Sequence, residues 1–234
     1  MDRIQGSVTY EMFATPVWIV DLAPDYAASL NARLTADIYK IVGPIQGLSP
    51  GQTNWQTPTN LHQRPQFAEI MELFEKAGVA AADYLKLRCR DLTATGCWAN
   101  VNPPGGFNPP HVHPNNYLSG VYYVAIPEGE GKIQFDDPRI QAQVMMPAVT
   151  EFTSYNGNCV SLTIKPGRLL VFPAWLSHSV PANRSSENRI SISFNLMFKD
   201  YARDVSPTLW QGTEQTAPAA TPTIGSPSQP PLRT

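Results

Sequence analysis

The stretch 109–126, PPHVHPNNYLSGVYYVAI, places two histidines two positions apart directly before a strand-like run. His111 and His113 alternate with Val112, and the flanking prolines favour an extended backbone. In an extended segment, residues i and i+2 point to the same side. The run 117–126 that follows is rich in β-branched and aromatic residues, which favour strands. This stretch therefore predicts two imidazoles that face one point beside a β-sheet.

The chain from Leu92 onward continues this strand pattern. Short runs rich in Val, Ile, Phe, Tyr and Thr are separated by turn signals such as Asn156-Gly157 and Pro166-Gly167. The predicted strands cover residues 93–102, 117–126, 132–135, 159–164, 168–172, 176–180 and 189–198. A series of short strands of this kind predicts a sandwich or barrel core.

Two helices are predicted before these strands. A strand over 15–22 leads to a first helix that begins at Pro24, and a second helix runs from about residue 66 to 87. Each has apolar residues at helical spacing, which predicts a face packed on a sheet. The apolar positions are Leu30, Leu34, Ile38 and Ile41 in the first helix, and Phe67, Ile70, Met71 and Phe74 in the second. Helices followed by strands predict an α+β protein.

The domain organisation follows from a change in composition near the C-terminus. Residues 1–210 are predicted to form one domain, with a helical N-terminal part over 1–90 and a β core over 91–200. After Trp210 the sequence is dominated by Gln, Thr, Ala, Ser and Pro, so residues 211–234 are predicted to be a disordered tail. The loops 43–65 and 103–110, rich in Pro and Gly, are candidate lids over a pocket.

Composition narrows the function classes. Hydrophobic residues make up 42% and charged residues 15% of the chain, and the net charge of −2 provides no field that would attract nucleic acid. The sequence has neither a signal-peptide pattern nor an apolar run long enough for a membrane span, which predicts a soluble cytoplasmic protein. Cys89, Cys97 and Cys159 form no CxxC pair, and each is predicted to be a buried, inert thiol.

A third histidine completes a candidate metal site. His178 lies in Leu176-Ser-His-Ser-Val180, a predicted strand far along the chain from His111 and His113. An HxH pair with a distant strand-borne histidine is what a metal on one wall of a β-barrel requires. His62 lies outside this pattern, and a surface or capping role is predicted for it.

The last predicted strand has two unlike faces. In the segment 189–196, one face carries Arg189, Ser191, Ser193 and Asn195, and the other carries only apolar residues. The apolar face is expected to pack on the helices or on a second sheet. The polar face suits either solvent or a pocket, in which Arg189 would offer a planar fork for a carboxylate.

The order of these motifs carries a family resemblance. An HxH pair, a strand SGVYYV over 119–124, a distal histidine and an RxS at 189–191 together resemble the 2-oxoglutarate/Fe(II)-dependent oxygenase superfamily, most closely its prolyl-hydroxylase-like branch. The sequence is also similar to a group of 2OG-Fe(II) oxygenases of bacteria and phages, in the segment TPVW over 15–18 and in the block 111–127. The resemblance covers about residues 13–199. It implies a double-stranded β-helix, a jelly-roll or cupin-like barrel, with the N-terminal helices outside one sheet.

The resemblance also implies an activity and a set of roles. The activity is that of a dioxygenase that uses Fe(II), 2-oxoglutarate and O₂ to hydroxylate a C–H bond, releasing succinate and CO₂. His111 and His178 fall on the metal ligands of the family. Arg189 and Ser191 fall on the residues that bind the far carboxylate of 2-oxoglutarate, and Tyr123 matches a tyrosine that contacts the same carboxylate.

One position departs from the family pattern. His113 stands where the family has Asp or Glu, so the favoured ligand set is three neutral imidazoles, which also suit zinc, copper or nickel. Two alternatives remain open at this point. Asp136 or Asp137 supplies an oxygen ligand, or His113 is the first ligand and Asn115 occupies the carboxylate position.

Other functions remain open beside the oxygenase. One is a three-histidine metal dioxygenase that does not use 2-oxoglutarate, and another is a non-catalytic cupin-like module. The sequence leaves the substrate open between a small molecule and a protein side chain, and it does not favour nucleic acid. It also leaves the oligomeric state open, a homodimer included.

Overall fold

The structure is a computed structural model that describes residues 5–45 and 47–204, with the side chains of 202–204 excepted. The tail predicted over 211–234 lies outside these residues. The helices are α1 Pro24–Val42, α2 Ala68–Tyr84 and α3 Lys199–Asp204. The strands are β1 Trp18–Asp21, β2 Trp55–Gln56, β3 Leu92–Asn102, β4 Asn108–His111, β5 Leu118–Ala125, β6 Lys132–Asp136, β7 Cys159–Thr163, β8 Arg168–Pro173, β9 His178–Val180 and β10 Arg189–Phe198.

The strands form two antiparallel sheets. The large sheet has the order β1-β8-β5-β10-β3-β2, and the small sheet has the order β4-β9-β6-β7. From β3 to β10 the chain alternates between the two sheets, apart from the hairpin β6–β7 within the small sheet. This alternation winds the chain as a jelly roll, and the predicted double-stranded β-helix is confirmed.

Side chains alternate between the two faces along each strand of the large sheet. Inward side chains such as Val121, Tyr123 and Phe172 belong to a core cluster with residues of the small sheet such as Ile133 and Phe135. The outward side chains form a second, larger cluster with the helices. The large sheet is thus buried on both faces, and its inward face lines the interior of the β-helix.

The helices α1 and α2 cover the outer face of the large sheet, as predicted. Phe74 of α2 stacks on Phe194 of β10 with a ring-centroid separation of 3.9 Å. Gly78 of α2 lies so close to Leu196 that an added Cβ would be 2.4 Å from its Cδ1. This packing covers the outer face of the large sheet, so a site can form only on its inward face.

A bulge in β5 changes which residues face inward. Ser191 is paired with Tyr123 while Ile190 is paired with Ala125, so Val124 is an extra residue in β5. Val124 and Ala125 both pack with the helix-side cluster, whereas Tyr123 faces the interior. Bulges of this kind redirect side chains near functional sites.

Several sequence predictions differ from the structure in detail. The predicted strand 176–180 begins only at His178, because Leu176 closes a turn with its N–H donated to Pro173 O at 3.0 Å. The predicted loop 43–65 contains β2 and a 3-10 turn over Leu61–Gln63. The second helix starts at Ala68 after another 3-10 turn and ends at Tyr84.

The prediction of three buried thiols was wrong for two of them. Cys97 is buried in the helix-side core, whereas Cys89 and Cys159 are exposed. Cys159 begins the strand β7 at the edge of the small sheet, where one face of the strand meets solvent. None of the helices in the described residues is long and apolar enough to span a bilayer.

Candidate active site

The three predicted histidines lie together at one end of the small sheet. His111 ends β4 and His178 begins β9, and the two are direct cross-strand partners. His113 lies just beyond β4, and its backbone N–H donates to Ala174 O at 2.9 Å. One ligand nitrogen from each ring lies within 4.8 Å of the other two. Sequence positions 65 residues apart are therefore brought to one point.

The spacing of these nitrogens suits a metal ion. Nε2 of His113 and Nε2 of His178 are 3.3 Å apart. Two nitrogens each about 2.1 Å from one ion would be separated by about 3.0–3.4 Å at octahedral to tetrahedral angles. The donor set therefore fits a divalent transition metal without rearrangement of these two rings.

Backbone carbonyls orient two of the three rings. Nδ1 of His178 lies 2.9 Å from Leu176 O, and Nδ1 of His111 lies 2.7 Å from Pro109 O. A proton on each Nδ1 satisfies these carbonyls and leaves Nε2 of each ring as a lone-pair donor. Such support fixes the tautomer and orientation of a metal-binding histidine.

Burial keeps two of these imidazoles neutral. Desolvation, with the neighbouring histidines as smaller causes, lowers the pKa of His113 to about 3. Desolvation also lowers the pKa of His178 to about 4. Neutral imidazole is the form that binds a metal, so both rings are ready for ligation near pH 7.

The alternative oxygen ligands lie elsewhere. Asp137 is paired with Arg139 at 2.9 Å, and Asp136 accepts a hydrogen bond from Ser177 Oγ at 2.8 Å. Asn115 is exposed and has a left-handed φ of 63°. Among the described residues, no carboxylate joins the histidine cluster. The geometry thus favours the three-imidazole set over both alternatives.

The histidines open onto a cavity of about 260 Å³ between the two sheets. The large sheet contributes the opposite wall, through inward side chains of β3, β5, β8 and β10. The cavity is lined by Gln56, Thr59, Trp98, Asn100, Asn102, Asn108, His111, His113, Gly120, Val121, Tyr123, Ile133, Phe172, His178, Val180, Arg189, Ser191 and Ser193. All six predicted site residues are among them.

Arg189 is a buried cation in this cavity. It is 2% exposed, and its Nη2 donates to Pro181 O at 3.0 Å and, more weakly, to Gly106 O at 3.5 Å. Burial lowers the pKa of Arg189, but an arginine remains protonated in proteins. No carboxylate forms an ion pair with it in the described part of the chain. A buried guanidinium without an anionic partner is costly unless a ligand supplies one.

Tyr123 places an unpaired hydroxyl in the same cavity. The residue is 2% exposed, and its hydroxyl has no hydrogen-bond partner. Burial raises the pKa of Tyr123, so the phenol is protonated and can donate. Ser191 is the cross-strand partner of Tyr123 and lines the cavity beside it. Buried donors without partners are rare in proteins, and the Tyr123 hydroxyl is one of them, in the cavity that Arg189 also lines.

The remaining lining residues were not predicted as site residues. Gln56 comes from the short strand β2, and Trp98, Asn100 and Asn102 come from β3. The alternation of Trp98, Asn100 and Asn102 with the buried Cys97, Ala99 and Val101 was the available signal, because it gives β3 a polar inward face.

The histidine left out of the pattern and the two predicted lids also have defined places. His62 lies apart from the cluster in a 3-10 turn, and burial lowers its pKa. In the segment 103–110, Phe107 N–H donates to Thr53 O at 2.9 Å and Gly105 N–H to Asn183 O at 2.7 Å. The two predicted lid loops are therefore hydrogen-bonded to each other.

The comparisons with known proteins agree with this geometry. Residues 96–195, which contain the three histidines, Tyr123 and Arg189, match the family model described as "Putative 2OG-Fe(II) oxygenase". Over this segment the chain is similar to the 2-oxoglutarate/Fe(II) oxygenases. The resemblance stated from the sequence is confirmed, and Fe(II), 2-oxoglutarate and O₂ are the cofactors of this family. No curated protein matches the sequence.

Solved structures with a similar fold come from varied sources. A prolyl-4-hydroxylase from Pseudomonas putida is 16% identical, with a TM-score of 0.52 over 78% of this chain and 92% of that chain. The α-ketoglutarate-dependent epimerase SnoN of nogalamycin biosynthesis is 16% identical, with a TM-score of 0.55 over 78% of each chain. HygX from Streptomyces hygroscopicus, solved with nickel and 2-oxoglutarate, is 11% identical, with a TM-score of 0.53 over 79% of this chain and 83% of that chain. These similarities establish a shared fold.

Proposed function

We propose that this oxygenase binds Fe(II) through His111, His113 and His178 and hydroxylates a C–H bond with O₂ and 2-oxoglutarate. The observation that carries the proposal is a single cavity. One wall has the histidine cluster, and the other has a buried Arg189 with no carboxylate partner in the described residues and a Tyr123 hydroxyl with no hydrogen-bond partner. A dicarboxylate that also chelates a metal would complete the metal site and would supply the acceptor for Arg189 and Tyr123.

The far carboxylate of 2-oxoglutarate would be held by Arg189, Tyr123 and Ser191. Arg189 supplies the charge and a planar pair of N–H donors. Tyr123 supplies the buried hydroxyl that now has no partner, and Ser191 lies opposite it on β10. With this end held, the 1-carboxylate and 2-oxo group would be available to the histidine cluster, which lines the same cavity.

Bound iron would supply the activation of O₂ that neither the side chains nor 2-oxoglutarate provide alone. In the overall reaction, one oxygen atom enters the substrate C–H bond and the other enters succinate, while C1 of 2-oxoglutarate leaves as CO₂. The protein's part is to orient both reactants and to exclude water. Val121, Ile133 and Phe172 give the cavity apolar surface for that purpose.

Three neutral ligands change the electrostatics of the site. An iron(II) ion bound only by imidazoles keeps its full charge of +2, whereas a carboxylate ligand would lower it by one unit. A 2-oxoglutarate dianion would then offset two of the three positive charges that the iron and Arg189 together bring to the cavity. We infer that 2-oxoglutarate and metal stabilise each other's binding strongly in this site.

The test is an anaerobic titration of the protein with Fe(II) and then 2-oxoglutarate. We expect the visible metal-to-ligand charge-transfer band of a chelated 2-oxoglutarate, followed by succinate formation when air is admitted. Arg189→Ala should weaken 2-oxoglutarate binding at least about tenfold, since it removes a charged hydrogen bond.

Two results would favour other functions. Full oxidation activity in Arg189→Ala, without 2-oxoglutarate consumption, would indicate a three-histidine dioxygenase that does not use the cosubstrate. A protein that stays free of metal after anaerobic addition of Fe(II) would indicate a non-catalytic module and would contradict the proposal.

Residues 1–210 are proposed to act as one oxygenase domain, with a substrate that is a small molecule or a protein side chain. The similar structures include a prolyl-4-hydroxylase and an epimerase of antibiotic biosynthesis, so the fold serves substrates of both kinds.

A further inference from the structure

The cavity has two chemically distinct ends along one row of the large sheet. Gln56 of β2 is paired with Asn100 of β3, Asn100 with Ser191 of β10, and Ser191 with Tyr123 of β5. Three strand spacings separate the two ends, which corresponds to about 14 Å. Gln56 is exposed at the edge of the sheet, whereas Tyr123 is buried near its middle. The proposed 2-oxoglutarate end is therefore the inner one, and the β2–β3 end is open to solvent.

The open end is polar but uncharged. Gln56, Thr59, Trp98, Asn100 and Ser193 line it, and the cavity lining contains no carboxylate and no lysine among the described residues. Its one permanent cation, Arg189, is in the part assigned to 2-oxoglutarate. A charged substrate group placed at the open end would lose water without gaining a counter-ion, which is unfavourable.

A chain of amide hydrogen bonds orders the open end. Nε2 of Gln56 donates to Asn100 Oδ1 at 2.8 Å, and Nδ2 of Asn100 donates to Ser193 Oγ at 3.0 Å. Asn54 also donates to Asn100 Oδ1, at 3.3 Å. Asn100 is 4% exposed, and both its amide oxygen and its amide nitrogen bond to these neighbours, so its role is to position them.

The amide of Gln56 keeps one acceptor and one donor for a ligand. Its Oε1 has no partner among the described residues, and its second N–H is equally free. This donor–acceptor pair is complementary to a carboxamide or another neutral amide group. Trp98 lies beside it on β3, with its ring 5.7 Å from that of His113, and offers a flat apolar surface close to the metal cluster.

We propose that the β2–β3 end of the cavity is the substrate subsite and that it selects an uncharged compound with an amide-like donor–acceptor pair. Gln56 forms hydrogen bonds with the donor–acceptor pair of the substrate, and Trp98 packs against the adjoining flat or apolar part of the substrate. Asn100 is a positioning residue. This inference rests on the proposed function, since it assigns 2-oxoglutarate to the Arg189 end.

The test uses matched probes that differ only in charge: benzamide, benzoate and benzylamine, with equivalent triplets on other flat rings. Dissociation constants are measured by ligand-observed NMR on protein loaded with Zn(II) and 2-oxoglutarate. We expect the carboxamide of a triplet to bind at least about tenfold more tightly than its charged relatives, the cost of one unpaired charged group.

Variants of Gln56 test the residue that reads the pair. Gln56→Glu should weaken carboxamide binding about tenfold and improve binding of the ammonium probe, because it places a carboxylate at the subsite. Gln56→Leu should weaken the carboxamide without any gain for the ammonium. Gln63→Glu is the matched control, since Gln63 is exposed, does not line the cavity and undergoes the same change of charge.

The outcomes separate the two proposals. Absence of carboxamide binding, equal or tighter binding of a charged probe, or a Gln56→Glu profile like that of wild type would overturn the subsite. The Fe(II)–2-oxoglutarate charge-transfer band should persist in Gln56→Glu. If the band persists while the subsite test fails, the proposed function stands; if wild type lacks the band, the proposed function itself fails.

Discussion

Two adjacent tyrosines in β5 have opposite environments, which allows a controlled test of the proposed 2-oxoglutarate site. Tyr122 faces the helices and donates its hydroxyl to Asn31 Oδ1 at 2.7 Å. Tyr123 faces the cavity, and its hydroxyl has no partner. The same deletion of one oxygen atom should therefore have different effects at the two positions.

We predict that Tyr123→Phe raises the 2-oxoglutarate concentration for half-saturation about 10- to 100-fold, the value of a hydrogen bond to a charged group. Without ligand, this variant should be as stable as wild type or slightly more stable, because a buried unpaired hydroxyl is removed. Tyr122→Phe should instead lose about 1 kcal/mol of unfolding free energy and keep normal 2-oxoglutarate binding. Charge-transfer titration and chemical denaturation measure the two effects, and the reverse pattern would contradict the assignment.

The histidines provide a second test at this scale. We predict that His111→Ala and His178→Ala each bind Fe(II) at least about tenfold more weakly, because each removes one nitrogen of the cluster. His62→Ala is the control, since His62 lies outside the cluster. Metal content after anaerobic loading and desalting measures the effect. Retention of iron by His178→Ala equal to that of the control would argue against this ligand set.

Close packing between β5 and β10 depends on a glycine. A Cβ at Gly120 would lie 2.2 Å from Cζ of Phe194 and 2.7 Å from Leu170 O. The Phe194 ring is itself fixed by its stack on Phe74 of α2. The absence of a side chain at Gly120 therefore lets a helix-facing aromatic ring lie flat across the strand.

We predict that Gly120→Ala lowers the unfolding free energy by about 2 kcal/mol or more, because ring and backbone must both move. Gly47→Ala is the matched control, since an added Cβ there meets nothing within 4 Å and its φ is not left-handed. Urea denaturation of both variants provides the comparison. A stability for Gly120→Ala equal to that of Gly47→Ala would show that the sheet adapts without cost.

At the scale of the whole molecule, an ion-pair cluster joins the N-terminal strand to the β-helix. Asp21 of β1 accepts from Arg168 of β8 at 2.7 Å and 2.8 Å, and Lys165 approaches the same carboxylate at 3.0 Å. The hydrogen bond from Arg168, with smaller contributions from Lys165, holds the pKa of Asp21 well below its usual value of 3.8. These ion pairs link the edge strand β1 to its neighbour β8 in the large sheet.

The sign of its pH dependence follows from the lowered pKa. Stabilisation is complete above about pH 4, where the unfolded carboxylate is also ionised, and decreases as the pH falls below that value. Because Asp21 is partly exposed, Asp21→Asn should cost about 1 kcal/mol or less at pH 7, a few degrees in Tm. The difference from wild type should shrink at pH 3, as thermal denaturation at the two values would show. Glu72→Gln, which removes an exposed pair within α2, should cost only about 0.3–0.5 kcal/mol at pH 7.

Local patterns were sufficient for the candidate site and for most elements. The spacing of His111, His113 and His178 and the two faces of 189–196 could be read directly, because side-chain direction alternates along a strand. Tyr123, His111 and His113 all have odd numbers, and side chains alternate along a strand, so the sequence also pointed to one cavity for them. The structure places Tyr123 and the histidines on opposite sheets. The agreement arises because the inner faces of both sheets line the same space.

The features that could not be predicted depend on contacts between distant segments. The bulge at Val124 sets the register of Tyr123 against Ser191, and the sequence of β5 contains no signal that predicts this bulge. Gln56 lies in a two-residue strand that exists only because β3 provides its hydrogen-bond partners. His113 lies beyond the end of β4. Its backbone N–H donates to Ala174 O, and this hydrogen bond holds the backbone where strand pairing has ended.

The sequence by itself determined the strand pattern, the helices that cover one sheet and the identity of the residues that face inward, since these follow from periodicity and side-chain chemistry. Only the tertiary structure decided which inward residues meet: that no carboxylate reaches the three imidazoles in the described residues, that the Tyr123 hydroxyl has no partner, and that an amide-lined end opens beside Trp98. The physical reason is that ligand distance and hydrogen-bond satisfaction are set by the register and spacing of strands far apart in the chain.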